Sequence, residues 1–264
     1  MTTTPPDVSV LIPAKNESGN LAALLDAVEQ ALAGHAFEVI VVDDGSTDDT
    51  WPMLMRYQAD HAWLRPLHHA RSAGQSTSVW QAAWAAKGTW LATLDGDGQN
   101  DPADLPAMLD IIKARSLALL AGHRTHRQDD QIKLLSSRIA NAVRSWLLKD
   151  ETPDTGCGIK VMQRDAFLRL PYFNHMHRFL PALMRAQGHD IDSHPVRHHP
   201  RGAGASNYGT LDRLRAGLLD LLGVAWLVHR SRLPAPLEQH VHQRTESTAE
   251  SGHQPPPPHT RVPS

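Results

Sequence analysis

Two carboxylates stand one residue apart in Asp95-Gly96-Asp97, directly after the apolar run Thr89-Trp90-Leu91-Ala92-Thr93-Leu94. Ionised carboxylates crowded at the end of a buried strand repel each other and resist the loss of water. A divalent cation relieves both costs, and Mg²⁺ commonly sits between one or two carboxylates and the phosphates of a substrate. The polar run Gly98-Gln99-Asn100-Asp101-Pro102 follows and could complete such a site. The plainer reading is a solvated strand-to-helix turn, because Asp and Gly are ordinary turn residues.

A second acidic cluster, Asp43-Asp44-Gly45-Ser46-Thr47-Asp48-Asp49-Thr50, closes a run of Val and Ile. A carboxylate there, Asp44 above all, could accept hydrogen bonds from a ribose or a base, as acidic residues do in nucleotide-binding folds. Asp48 and Asp49 read more simply as residues of the first helical turn, where negative charge is favoured. Pro13-Ala14-Lys15-Asn16-Glu17 taken alone is a plain helix start, with Asn16 as cap and Glu17 suiting the helix dipole. Arg201 in Arg201-Gly202-Ala203-Gly204-Ala205-Ser206-Asn207-Tyr208 is either a solvated loop charge or a ligand group to which glycines let the backbone approach. The 17 histidines, including His194, His198 and His199, do not follow a zinc spacing, and Cys157 reads as a small turn or core residue.

The elements that would position these groups alternate. Apolar runs at 8–12, 37–42, 63–68, 90–94 and 117–121 predict strands. Helical spacing between them, with Leu21, Leu24, Leu25, Val28 and Leu32 the clearest case, predicts helices near 47–57, 74–87 and 104–114. Such alternation with short loops argues for a mostly parallel sheet covered by helices on both faces. Ligands then bind outside the carboxyl ends of the strands, where Asp43-Asp44, Asp95-Asp97 and Arg124 all fall. Beyond residue 132 the pattern predicts a long helix to 148, mixed short elements to 199, and a helix over 211–228.

Composition bounds the rest. The chain has 264 residues, a 41% hydrophobic fraction adequate for a core, and a net charge of −2 that gives no hint of nucleic acid. A single cysteine suits a reducing cytosol, and the first residues lack the form of a signal peptide. The 216–228 stretch is too short and too interrupted to span a bilayer. It is either a core or partner-facing helix or an amphipathic helix on an anionic membrane surface.

The segments at 13–17, 43–48 and 95–102, standing in order at successive strand ends, together resemble the inverting family 2 glycosyltransferases of GT-A fold. The likeness is strongest to the dolichol-phosphate mannose synthase and undecaprenyl-phosphate sugar transferase branch. Gly122-His123-Arg124, Asp154-Thr155-Gly156-Cys157-Gly158-Ile159-Lys160 and residues 201–208 support it. The resemblance implies that Pro13, Lys15, Glu17 and Asp44 line a nucleotide pocket. It implies that Asp95, Asp97 and Gln99 hold Mg²⁺ or Mn²⁺ on the diphosphate of a nucleotide-sugar donor. It assigns Arg124 and Arg201, with Ser137, to the phosphate of a polyprenyl acceptor, and it makes Asp97, Arg124 and Arg201 the residues of catalysis. Lys15 stands where many relatives carry an aromatic residue, and Asn207 replaces a common lysine.

The expected organisation is a flexible start at 1–7, a GT-A catalytic domain at 8–210, an amphipathic or interface helix at 211–233 and a disordered, Pro- and His-rich tail at 234–264. The expected setting is the cytoplasmic face of a membrane, met through its surface or through an anchoring partner protein. Rival readings are a family 2 enzyme with a non-lipid sugar acceptor, a non-catalytic nucleotide-sugar-binding protein of the same fold, and a metal-dependent phosphatase. The phosphatase would place its Asp pair on an early strand before Thr or Val.

Overall fold

The computed structural model describes residues 5–124, 144–145, 147–148, 150, 152–200 and 210–231, with side chains in the last helix described from Gly217 onward. Its elements run β1 (Val8–Ala14), α1 (Leu21–Ala31), β2 (Phe37–Asp43), α2 (Thr50–Asp60), β3 (Leu64–His68), α3 (Gln75–Ala85), β4 (Trp90–Thr93), α4 (Leu105–Ala114) and β5 (Leu119–Arg124). They continue with β6 (Lys160–Gln163), α5 (Arg164–Leu168), α6 (Leu180–Ala186), β7 (Ile191–Val196) and α7 (Thr210–Arg230). Single 3-10 turns precede α4 at Pro102–Asp104 and α6 at Met176–Arg178.

The seven strands form one sheet in the order β3-β2-β1-β4-β6-β5-β7. β1, β2, β3 and β4 pair in parallel, as do β5 and β7, whereas β6 runs antiparallel to both β4 and β5. The mostly parallel α/β sheet expected from the sequence is what the chain builds, with β6 running against its two neighbours. That reversal brings the start of β6 to the edge where β4 and β5 end, with Lys160 opposite both Thr93 and Ala121.

Strand alternation sorts the core into two layers. Val8, Val10 and Ile12 of β1 face α1 and α4, whose Leu21, Leu24, Leu25, Val28, Leu105, Met108, Leu109 and Ile112 bury completely or nearly so. Leu11 points the other way, with Ile40, Val42, Leu91, Leu119 and Met162, onto α3, α5 and α6. Both strand faces are covered, which is why the strands read as continuous apolar runs. Of α7, Val224 enters this second layer, while Leu218, Leu219, Leu222 and Trp226 stay exposed. Among the described residues no helix is long and apolar enough to cross a membrane. The N-terminal part of the long helix predicted up to 148 and the whole tail at 234–264 lie outside the described residues, as do Ser137, Arg201 and Asn207.

The start of the sheet holds a buried polar knot away from the candidate site. Glu38 accepts from Ser9 Oγ (2.7 Å), from the Lys87 amide (2.6 Å) and from Arg65 Nη1 (2.6 Å). Burial opposes its charge, but these donors together hold the carboxyl below the usual range.

Candidate active site

β1, β2 and β4 end side by side, and the loops that leave them are tied to one another. The expected cap at Asn16 is not what the chain builds. α1 starts at Leu21, and Asn16 adopts a left-handed backbone with φ 57°. Its amide donates to Ser46 Oγ (2.9 Å) and its side-chain oxygen accepts from the Thr47 amide (2.8 Å). Asn tolerates this conformation better than most residues, so it serves as a corner between two loops. Asp48 works beside it. One of its oxygens accepts from Thr50 Oγ1 (2.6 Å) ahead of α2, and the other from Ser18 Oγ (2.7 Å). Glu17 donates its amide to Thr50 Oγ1 (3.0 Å) and its carboxylate accepts from Asn20 (2.6 Å), while Lys15 stands exposed.

Asp44 is buried, and four protein donors fill its carboxylate. Oδ1 meets His69 Nδ1 (2.7 Å) and accepts from the Ala73 amide (2.6 Å); Oδ2 accepts from Ser72 Oγ (2.6 Å) and the Gly74 amide (2.9 Å). Burial works against the charge, yet the four donors outweigh it and hold the carboxyl below the ordinary Asp range. An ionised carboxylate has about four acceptor positions, all used here. Asp44 thus organises the loop ahead of α3. Gly45 permits the same closure: at φ +66° a Cβ would meet Ser72 N at 2.8 Å.

Asp95 and Asp97 follow β4 as expected. Asp95 is held from three sides: its amide donates to Asn100 Oδ1 (3.0 Å), Gln75 Nε2 donates to its Oδ1 (2.9 Å), and Gly158 lies against its Oδ2. A Cβ on Gly158 would fall 2.1 Å from that oxygen. Burial raises the Asp95 carboxyl, and the charge of nearby Asp97 raises it further. Asp97 is 8% exposed and accepts from the Gln99 amide (3.2 Å). Two crowded oxygen donors, one pressed flat against a glycine, suit a divalent cation that draws its remaining oxygens from a ligand or solvent. Among the described residues no set of three or more His, Cys, Asp and Glu is placed to hold a metal. The resemblance gave Gln99 a metal-ligand role; in this turn its amide donates to Asp97.

The loop after the pair is pinned from the exit of β7. Arg197 bridges Asp104 (2.9 Å) and Asp101 (3.2 Å), and the His199 amide donates to Gln99 O (2.9 Å). These contacts give His199 and its neighbours a structural use, in keeping with their lack of zinc spacing.

Arg124 is the last residue of β5. Its Nε and Nη2 reach Asp154 at 2.7 and 2.9 Å, a bidentate pair that fixes the turn at 154–158. The guanidinium is therefore matched by a carboxylate in this structure. Missed in the sequence was Lys160, 4% exposed, whose ammonium donates to the Cys157 carbonyl. A lysine opening a short apolar strand was the available signal. Its position beside Asp95 depends on the antiparallel reversal of β6.

These elements enclose a cavity of about 350 Å³ lined by Pro13, Gln75, Asp95, Thr155, Lys160 and Arg178, among others. His177 also lines it and meets Ser76 Oγ through Nδ1 (2.7 Å); burial pushes its pKa down to about 3, so the ring is neutral. Of the residues expected at the site, Pro13 and Asp95 share this cavity. Lys15, Glu17 and Asp44 belong to the neighbouring loops that leave β1 and β2.

A sheet of this order, with helices on both faces and paired carboxylates after β4, is the architecture of the GT-A nucleotide-sugar transferases. Solved structures agree on the fold. A mannosyltransferase from Pyrobaculum calidifontis in complex with GDP-Man and Mn²⁺ matches with TM-score 0.65 at 19% identity, over 88% of this chain and 67% of that one. Glucosyl-3-phosphoglycerate synthase from Mycobacterium tuberculosis, solved with Mn²⁺, UDP and glucosyl-3-phosphoglycerate, matches with TM-score 0.61 at 18% identity, over 87% and 81%.

The sequence profile of glycosyl transferase family 2 matches residues 9–170, and the chain belongs to that family. Among its relatives is a dodecaprenyl-phosphate galacturonate synthase of Rhizobium johnstonii, 32% identical over 234 residues, 86% of this chain and 69% of that protein. Another is an undecaprenyl-phosphate 4-deoxy-4-formamido-L-arabinose transferase of Yersinia pestis, 28% identical over 218 residues, 81% and 66%. The chain thus spans about two thirds of the length of these relatives.

Proposed function

We propose that this chain transfers a sugar from a nucleotide-diphosphate donor to the phosphate of a polyprenyl carrier, with inversion at the anomeric carbon. The observation that carries the reading is the Asp95–Asp97 pair beside a cavity in a family 2 chain whose named relatives act with polyprenyl phosphates.

Asp95 and Asp97 would hold Mg²⁺ or Mn²⁺, which when bound stabilises the charge left on the departing diphosphate. Gln75 and Asn100 fix Asp95 in place for the ion, and Gly158 leaves its carboxylate room. Pro13, Lys15 and Glu17 border the nucleotide, while Asp44 acts on it through the loop it orders. The acceptor phosphate is substantially ionised near neutral pH, with its second pKa near ~6, so no strong general base is required. Arg201 would bind that phosphate through its planar fork. Arg124, held by Asp154, would shape the 154–158 turn at the cavity. Contact with the cytoplasmic face of a membrane, directly or through an anchoring partner, falls to the exposed apolar residues of α7.

The test is incubation of the full chain with radiolabelled UDP- and GDP-sugars, undecaprenyl phosphate in detergent and Mn²⁺ or Mg²⁺. Label should enter a lipid that mild acid cleaves, and Asp97→Asn should slow this at least ~100-fold, the scale of losing one electrostatic stabiliser. Label appearing only in free sugar or a water-soluble product, or full turnover by the variant, would overturn the reading. The two relatives' names carry different sugars, so they do not choose the sugar here.

A further inference from the structure

His177 sits on the turn before α6 and lines the cavity beside Asp95. Its Nδ1 lies 2.7 Å from Ser76 Oγ in α3. Ser76 is buried, 1% exposed, and its oxygen already accepts from the His177 amide (3.3 Å). Among the described residues the one acceptor within reach of its hydroxyl proton is Nδ1 of the same histidine. A buried hydroxyl gives its proton to the acceptor at hand, so Ser76 donates and Nδ1 accepts. Burial keeps the ring neutral, which leaves its single proton on Nε2. Nε2 makes no hydrogen bond with any described residue. The cavity wall thus presents an uncharged N–H donor whose tautomer is fixed from behind by α3.

The absence of charge on this donor selects what it binds. An anion goes to the cation at the Asp95–Asp97 pair or to the guanidinium of Arg178 on the same cavity wall, because charge-assisted bonds are about twice as strong as neutral ones. A neutral N–H suits a neutral oxygen. With the diphosphate held at the carboxylate pair, the neutral oxygens next to it belong to the sugar. At about 350 Å³ the cavity is at the small end of ligand sites, too small for a whole nucleotide sugar. We propose that His177 reads the transferred sugar by donating Nε2–H to one of its hydroxyl oxygens, with Ser76 as the positioning residue that holds the tautomer. This rests on the sugar-transfer reading above and adds to it a residue that discriminates among sugars. A sugar without that hydroxyl would leave a buried N–H unpaired, the situation from which hydrogen-bonding sites draw their selectivity.

The experiment is calorimetric binding to the full chain with Mn²⁺, setting UDP-glucose, UDP-galactose, UDP-galacturonate and GDP-mannose against UDP and GDP. For the sugar nucleotide bound most tightly, His177→Phe should cost about tenfold or more in affinity and leave the matching diphosphate within about twofold. His177→Gln, which carries an amide N–H near the place of Nε2, should restore part of the loss. Ser76→Ala should weaken the same sugar nucleotide with the same selectivity and add little to His177→Phe. A long-range ¹H–¹⁵N correlation on the parent should show Nδ1 bare and Nε2 protonated between pH 8 and pH 5. Equal losses for sugar nucleotide and diphosphate in His177→Phe, or a proton on Nδ1, would overturn the proposal while leaving sugar transfer standing. No binding of any nucleotide sugar would overturn both.

Discussion

Gly158 shows how narrowly one residue sets the site. A methyl group there would overlap the Asp95 carboxylate and crowd Asn100, whose Oδ1 would lie 2.6 Å away. Gly158→Ala should therefore displace the carboxylate and weaken Mn²⁺ binding at least tenfold, read by titration calorimetry, with far-UV circular dichroism showing a retained fold. Unchanged Mn²⁺ affinity would mean that the position of Asp95 is not what binds the ion. The carboxylates were legible in the sequence because charge directly after an apolar run needs a reason. Gly158 was not, because its reason is a contact across more than 60 positions of chain. The four donors that hold Asp44 were not legible either, since they come from His69 and from residues 72–74 on a separate loop.

At the scale of elements, the wall formed by α3 and the Met176–Arg178 turn carries a pH dependence. His177 is held neutral by burial, with a pKa near 3 against an ordinary value of 6.5. Between those values the unfolded chain binds a proton that the folded chain refuses, so stability falls as pH falls through this window and is fully present above it. His177→Gln keeps a polar side chain beside Ser76 and removes the titration. The drop in Tm between pH 7 and pH 5 should be smaller in this variant than in the parent, and an equal drop would show that His177 does not bear the dependence. The first strands and helices were readable from periodicity alone. The reversal of β6 was not, because four residues, Lys160-Val161-Met162-Gln163, carry no mark of direction. β5 also runs on to Arg124, three residues past its apolar run, since pairing with β7 and not hydrophobicity ends it.

On the scale of the whole molecule, the outer face of α7 stands exposed among the described residues. Leu219 is 72% and Trp226 65% exposed, beside Leu218 and Leu222, with His229 and Arg230 at the helix end. A helix with such a face and basic flank binds anionic bilayers through apolar burial and charge together. The chain should cosediment with phosphatidylglycerol-containing liposomes, and Leu219→Asp with Trp226→Asp should release it. Full solubility of the parent at low salt would point instead to an anchoring protein.

The place of β6 also governs the order in which the chain can be assembled during synthesis. Among the described residues β5 pairs with β6 and β7, and β4 pairs on that side with β6. Until Lys160 and the three residues after it emerge, a nascent chain that has already made Asp95 and Asp97 exposes β4 as an open edge, the kind of edge that invites mispairing. The strand that supplies Lys160 is thus also the one that closes the sheet, so a chain stopped short of it would be incomplete as a site and vulnerable as a fold.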